Sequence, residues 1–352
     1  MPLPSERKRL LAYLTALSLF FSVAENMVVH PLPFLRYGFA VIPLLFALPL
    51  LSFPEYMLLL AGKWIAATLS QGTLLSPFSI IALSSTFASG IIMYILYKAA
   101  GRFISVYTIS LVSSIVSTVT QVYVASLFLG DAVLRLLIIM LPVSEVTGLV
   151  TAFLSGRLAL SAAPPELTST DNRHDDMLLI VLHLAFALLS FFVSSPITLV
   201  LCFIIAIACS LLQRRKVFWL NYAVTFAAVV FCNLLSPNGE ALFSFITKGA
   251  LEDGVLKALH LIVLVAVSQS FAALRIRGGE YLSSVFAYNA AFLSAFGRKG
   301  GNVFKRLQDA LSLRDAGSIA ISSGKTSRAL SPLLILGVTS EVIAFILTSY
   351  IL

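Results

Sequence analysis

Four ionisable residues sit inside long apolar runs: Glu25, Lys63, Glu145 and Glu341. A charge at the centre of a membrane costs roughly 2.5–3.5 kcal/mol on insertion scales, so each needs a partner or a use. Lys63 lies too deep in its run to snorkel easily, and it needs a carboxylate, a carbonyl or water. Glu145 follows Pro142, whose ring frees a backbone carbonyl. A Lys63–Glu25 or Lys63–Glu145 pair is expected at the outer mouth of a helix bundle. Such a pair is either a structural ion pair or part of a ligand cavity. Glu341 lies well inside the last apolar run and is expected to face the bundle.

Uncharged polar residues gather in the same half: Asn26, Ser70, Gln71, Ser84, Ser85 and Thr86, then Ser110, Ser113, Ser114, Ser117, Thr118, Thr120 and Gln121. Ser110, Ser113, Ser114, Ser117, Thr118 and Gln121 recur three and four apart, which puts them on one face of one helix. Small polar residues let membrane helices pack closely. Gln121 is larger than that purpose requires. The expected ligand site is therefore Glu25, Asn26, Lys63, Gln71, Ser117, Gln121 and Glu145.

Motifs for other chemistry fail on inspection. Gly324-Lys325-Thr326 resembles the end of a phosphate-binding loop, but Ile319 stands where that loop needs its first glycine. Asp175-Asp176 is followed by Met-Leu-Leu and not by the acidic pattern that holds magnesium diphosphate. His30, His174, His183 and His260 show no metal spacing. Cys202, Cys209 and Cys232 form no CxxC pair and read as small apolar fillers. The reading is of a protein that is not an enzyme, with no metal and no cofactor.

The elements that must position these residues are membrane helices. Of the 352 residues 59% are hydrophobic and only 11% charged, against about 25% charged in a soluble domain. The net charge of +8 is not a nucleic-acid face, because the basic residues punctuate apolar runs. A span needs about twenty apolar residues. Such runs fall near 10–30, 34–52, 55–72, 78–98, 104–128 and 133–157, then near 177–194, 196–213, 217–235, 255–274 and 332–352. Arg7-Lys8-Arg9 precedes the first, which is too long for a cleavable signal and reads as a span that stays. The fold class is all-α, a polytopic transmembrane bundle of about eleven spans, six and then five. A six-span module covers 1–160, a cytoplasmic linker rich in proline and charge 161–176, and a second module 177–352.

Charge sets the orientation. With the N-terminus in the cytoplasm, nineteen of the 24 basic residues fall in cytoplasmic segments. Arg36, Arg135, Lys248 and Lys257 fall outside, and Lys63 lies within a span. This positive-inside bias predicts an inner-membrane protein with an external C-terminus.

The first half resembles the Gx transporter family, also labelled heptaprenyl diphosphate synthase component I. The resemblance rests on Glu25-Asn26 with Pro31 and Pro33, on Arg36-Tyr-Gly-Phe-Ala, on Lys63 through Pro77, on Ser110 through Gln121, and on Leu141-Pro142 with Thr147-Gly148. That family is similar to the substrate-binding components of energy-coupling factor (ECF) vitamin importers. Its members usually carry Arg where Lys63 stands and a His-Asn pair where Ser117-Thr118 stands. The second half resembles the transmembrane coupling component of the same importers. There the carrying features are Ser194-Ser-Pro196, Arg214-Arg215-Lys216, Gly254 through Ser270, and Arg275-Ile-Arg277-Gly278-Gly279.

Residues 275–330 also fit a coupling role physically. Basic Arg298, Lys299, Lys305, Arg306 and Arg314 alternate with apolar side chains, and Leu307 through Leu313 is patterned as an amphipathic helix on the inner surface. The competing reading is a basic interfacial helix without a partner. The resemblance implies a transport protein that captures a small vitamin-like or isoprenoid- or quinone-like molecule. Arg275, Arg277, Gly278, Arg298 and Lys299 would then dock separate cytoplasmic ATPase subunits. The alternative is a non-catalytic membrane subunit of a polyprenyl diphosphate synthase or of an electron-transfer assembly. Either way the partners are the bilayer, a small ligand and soluble subunits, and not nucleic acid. Reporter fusions in 161–176 and in 237–250 should report cytoplasm and exterior respectively; the opposite sign at either site breaks the span count.

Overall fold

Prolines and glycines mark where the helices start and stop. Helices α3 (Phe53–Gln71), α4 (Pro77–Ala100) and α8 (Pro196–Leu212) each carry proline in their first two positions, where the missing N–H costs nothing. Gly72 ends α3 at φ 65°, a left-handed conformation that a Cβ disfavours. The other helices are α1 (Ser5–Asn26), α2 (Ile42–Ala47), α5 (Val106–Leu129), α6 (Leu137–Arg157), α7 (Met177–Ser190), α9 (Trp219–Leu234), α10 (Lys248–Ala272), α11 (Gly279–Gly297) and α12 (Leu330–Ile351). The computed structural model describes residues 5–26, 38–101, 103–157, 167–168, 177–213, 217, 219–235, 239–243, 246–272, 279–297, 319–320 and 330–351.

The result is an all-α helical membrane bundle. Among the described residues four helices are long and apolar enough to cross a membrane, at 77–100, 106–129, 133–157 and 248–272. Four shorter apolar helices lie at 178–190, 196–212, 219–234 and 332–343. Large apolar side chains point outward along α6 to α9: Ile138, Ile139, Val146, Phe192, Ile197, Leu220 and Phe231 are all exposed. A surface this apolar suits hydrocarbon and not water.

Helix α1 is different. Every residue from Leu11 to Ser22 is buried, so it has no lipid-facing stripe and forms the centre of the first half. Arg7 at its start pairs with Glu55 at the start of α3, at 2.7 Å. Near its other end Gln71 of α3 donates to Ser22, at 3.0 Å. Helices α1 and α3 therefore run parallel, and the chain between them must return across the bundle. A 3-10 turn (Phe39–Val41) and α2 make that return. The expected helix over 34–52 is correspondingly shorter, because it cannot run back through Gly38 at φ 90°; positions 34–37 lie outside the described residues.

In the second half α10 is the buried axis, packed on α7, α8 and α9. The turn after α3 docks on it. Leu75 N–H donates to Ser268 Oγ at 3.0 Å, and a Cβ on Gly72 would lie 2.8 Å from Gln269 Cα. Helix α12 packs on α7 and α8.

One expectation needs correction. No span and no inward-packed helix was anticipated over 279–297, within the presumed surface segment 275–330. The structure forms α11 there and packs it along α1. Tyr13 meets Tyr288 and Phe292 edge-on at 5.8 and 5.4 Å between ring centroids, Phe20 meets Phe292 and Phe296, and the Tyr281 and Thr15 hydroxyls lie 2.5 Å apart. The low hydropathy that hid this helix comes from Glu280, Asn289 and its serines. Residues 307–313 lie outside the described residues. Two short ladders complete the fold: Leu167–Thr168 runs parallel to Ile319–Ala320, and Ala241–Phe243 pairs antiparallel with Ile246–Thr247.

Gly72→Ala should lower stability by about 2–4 kcal/mol, from left-handed strain and from overpacking against α10. Gly156→Ala, where no atom lies within 4 Å of the added Cβ, should be neutral or slightly stabilising, as helix propensity favours alanine by about 1 kcal/mol. Thermal unfolding of the two variants in detergent checks the pair.

Candidate functional site

Helices α5 and α6 approach closely because both present small residues. On α6 the inward face is Met140, Ser144, Gly148, Thr151 and Ala152. A Cβ on Gly148 would lie 2.5 Å from Ser114 Oγ. Ser110 Oγ donates to the Gly148 carbonyl at 2.8 Å, an interhelical bond of the kind worth about 0.6 kcal/mol in a membrane. Between them lies a narrow cleft of about 30 Å³ that is open on one side. Its lining is Ser110, Ser113, Ser114, Ser117 and Thr118 from α5, Ser144, Thr147, Gly148 and Thr151 from α6, and Gly38 and Val41.

Ten of those eleven residues, all but Val41, are serine, threonine or glycine, and most of their hydroxyls are already committed. Ser114, Ser144, Thr147 and Thr151 each donate to a carbonyl of their own helix. Ser113 does not. Its Oγ is buried with no partner, and its residue is 1% exposed. Leaving such a hydroxyl unpaired costs about 1–3 kcal/mol. Other buried hydroxyls are also unpaired, Ser18 and Ser79 among them, but Ser113 is the one on the cleft wall.

The expected site residues are only partly gathered here. Ser117 lines the cleft and accepts from Gln121 Nε2 at 3.0 Å, so Gln121 supports the wall from the next turn. Glu25 is buried, and its Oε1 accepts the Gly38 N–H at 2.9 Å. It thus holds the rim of the cleft and does not line it. The side chain of Asn26 lies outside the described residues. Lys63 is buried on α3, beside Gly62, whose Cα faces Tyr281 and Thr15; it does not line the cleft. Gln71 ties α3 to Ser22. The ion pairs seen among the described residues are Arg7–Glu55 and Lys248–Glu252; neither is the expected pairing of Lys63 with Glu25 or Glu145. Glu145 is exposed on the outward face of α6, with Val143 and Val146. Proline at 142 says nothing about which face a residue takes; the small stripe Ser144–Gly148–Thr151 sets the phase of α6 and turns Glu145 away. That stripe, with Gly38, is what sequence reasoning left out, and its four- and three-residue spacing was the available signal. Arg275, Arg277, Gly278, Arg298 and Lys299 lie outside the described residues.

The second half holds its own polar groups. His183 Nδ1 faces the Leu179 carbonyl at 2.7 Å and Nε2 faces Ser270 Oγ at 3.0 Å. Nδ1 must then carry the proton, and Ser270 donates to Nε2. Gln213 Nε2 donates to the same Ser270 oxygen, and Tyr222 donates to Gln269 at 2.6 Å. His260 bridges the Leu256 and Val193 carbonyls. The three cysteines are free and buried. Among the described residues no three metal-ligating side chains come together.

Residues 14–159 match the family described as heptaprenyl diphosphate synthase component I. Residues 177–272 match a domain of unknown function (DUF8519). No curated protein and no solved structure matches the chain.

Removing the Glu25 carboxylate leaves the Gly38 N–H without its partner. Glu25→Ala should therefore cost about 1–3 kcal/mol of stability, whereas Glu145→Ala on the outward face should change it by less than about 0.5 kcal/mol. Equal losses in a detergent unfolding series would show that the faces of α1 and α6 are wrongly assigned.

Proposed function

We propose that this chain is a non-catalytic, membrane-embedded binding subunit that takes a small molecule into the α5–α6 cleft and works with separate soluble subunits. The observation that carries the reading is the hydroxyl-lined cleft with the unpaired Ser113 hydroxyl in its wall. The lining offers hydroxyl donors and carries no cation. It therefore suits the carbonyl or hydroxyl end of a neutral molecule, vitamin-like or quinone-like, admitted as the helices part, better than a free diphosphate, which calls for Arg, Lys or a metal. Glu25 shapes the cleft through Gly38, and Gln121 does so through Ser117.

In the transport form of this proposal the protein lies in the inner membrane, N-terminus inside and C-terminus outside. Residues 1–160 form the binding module and 177–352 the coupling module. ATPase subunits dock on Arg275, Arg277, Gly278, Arg298 and Lys299. The packing of α11 along α1 bears on how such a transporter would move. An ECF-type binding module is expected to topple as a unit against its coupling module. Here that motion would first have to peel Tyr288 and Phe292 from Tyr13 and Phe20. Local opening of the cleft is the cheaper motion.

A second reading is favoured by the family description matched over 14–159: an accessory membrane component of a polyprenyl diphosphate synthase. Purification in mild detergent followed by mass spectrometry separates the two, since an ATPase partner supports transport and a soluble synthase supports the accessory role. The same preparation tests the cleft. A co-purified small molecule should be lost in Thr147→Phe, which fills the space. Ser113→Ala should weaken its binding roughly five-fold, the worth of one hydrogen bond. Unchanged occupancy in both variants rejects the cleft as the site.

A further inference from the structure

Glu341 is used by nothing described so far. It sits in α12 with no exposed surface. Helices α7 and α8 pack against α12, and α7 does so closely: a Cβ on Gly337 would lie 2.9 Å from the Phe186 ring. The Ser190 hydroxyl of α7 lies 2.5 Å from Glu341 Oε1. Glu341 Oε2 has no partner among the described residues. The Cys202 thiol of α8 stands beside the carboxyl and 3.9 Å from Ser340 Oγ.

The charged and titratable groups around it are few. Helices α7, α8 and α12 contain no Lys or Arg. Helix α7 contributes His183, both of whose ring nitrogens are engaged by Leu179 and Ser270. Helix α8 contributes Cys202 and Cys209. An ionised Glu341 would have no cation to offset its desolvation.

Proton counting gives the same answer independently. Ser190 Oγ also lies 2.8 Å from the Phe186 carbonyl. A hydroxyl has one proton, and a carbonyl can only accept. If Ser190 donates to Phe186, its contact with Glu341 is a hydrogen bond only when the carboxyl supplies the proton. Both contacts are satisfied by one arrangement: Glu341 Oε1–H donates to Ser190 Oγ, and Ser190 donates to Phe186.

We propose that Glu341 is a proton-binding site of the second half, occupied at neutral pH as the carboxylic acid and held by Ser190. The inference is independent of what the first-half cleft binds. A hard metal cation is a poorer occupant, because it wants several oxygen ligands and finds here one carboxyl and two serines, both already bonded to backbone carbonyls.

Infrared spectroscopy of the full chain in detergent tests this. A protonated-carboxyl C=O band should be present at neutral pH, should disappear in Glu341→Gln, and should not respond to sodium at fixed pH. In Ser190→Ala the same band should persist and move to higher frequency, as the acid loses its acceptor; this second variant serves if Glu341→Gln does not fold. Glu341→Gln should keep the wild-type unfolding midpoint, because its amide N–H also donates to Ser190. Absence of any neutral-pH band that depends on Glu341 or shifts with Ser190 overturns the proposal. Loss of the band on adding sodium overturns it too, in favour of a cation site.

Discussion

The enclosure of α1 organises the first half of the molecule. A helix buried on every side from Leu11 to Ser22 needs a complete ring of neighbours, and the adjacent chain supplies only part of it. Helices α2 and α3 cover some of the circumference. The rest is closed by α11, from a segment more than 250 residues away in the chain, as the Thr15–Tyr281 contact shows. Edge-on aromatic pairs such as Tyr13–Tyr288 add about 0.5–1.5 kcal/mol each beyond the area they bury. The Arg7–Glu55 pair then fixes the register of α1 on α3, since the same carboxylate also accepts from Ser52 N–H and hydroxyl at the start of α3. Because α1 and α3 are parallel, the return segment must cross between them. It carries Gly38, and through Glu25 it brings Gly38 to the edge of the cleft.

Hydrocarbon offers no hydrogen bonds, so buried polar groups in such a bundle are used mostly as staples between helices. Ser110 with Gly148, Gln71 with Ser22, Tyr222 with Gln269, and the His183–Ser270–Gln213 chain all do this. Against that background an unpaired group beside open space, or an acid without a cation, is informative. Ser113 is the first kind and Glu341 the second. They lie in different halves and on different helices, and the ligands we propose for them differ: a neutral molecule at one and a proton at the other.

The halves are not loosely tethered. The turn after α3 is seated on α10 through Ser268 and Gln269, and α11 is inserted along α1. The matched families divide the chain by sequence, at 14–159 and 177–272; the turn after α3 joins the two stretches, and α11, which lies beyond both, packs along α1. Any movement that serves binding must respect both contacts.

Apolar length and punctuation by proline and glycine were enough to locate most helices from sequence. The run expected at 78–98 is a helix over Pro77–Ala100, and that at 104–128 is one over Val106–Leu129. Those signals are local, and a membrane helix forms its hydrogen bonds within itself. The serine face of α5 was legible for the same reason, since a period of 3.6 specifies a face. It does not specify what that face meets. Only packing decided that the face meets Ser144, Thr147 and Thr151, that Glu145 turns outward, and that Lys63 is not part of the cleft lining. The neighbours of α11 were equally hidden. Its polar residues lower its hydropathy below that of a span, and its aromatic partners are distant in the chain. Rotation about a helix axis and the choice of neighbour are set by contacts between segments, and no window of sequence contains them.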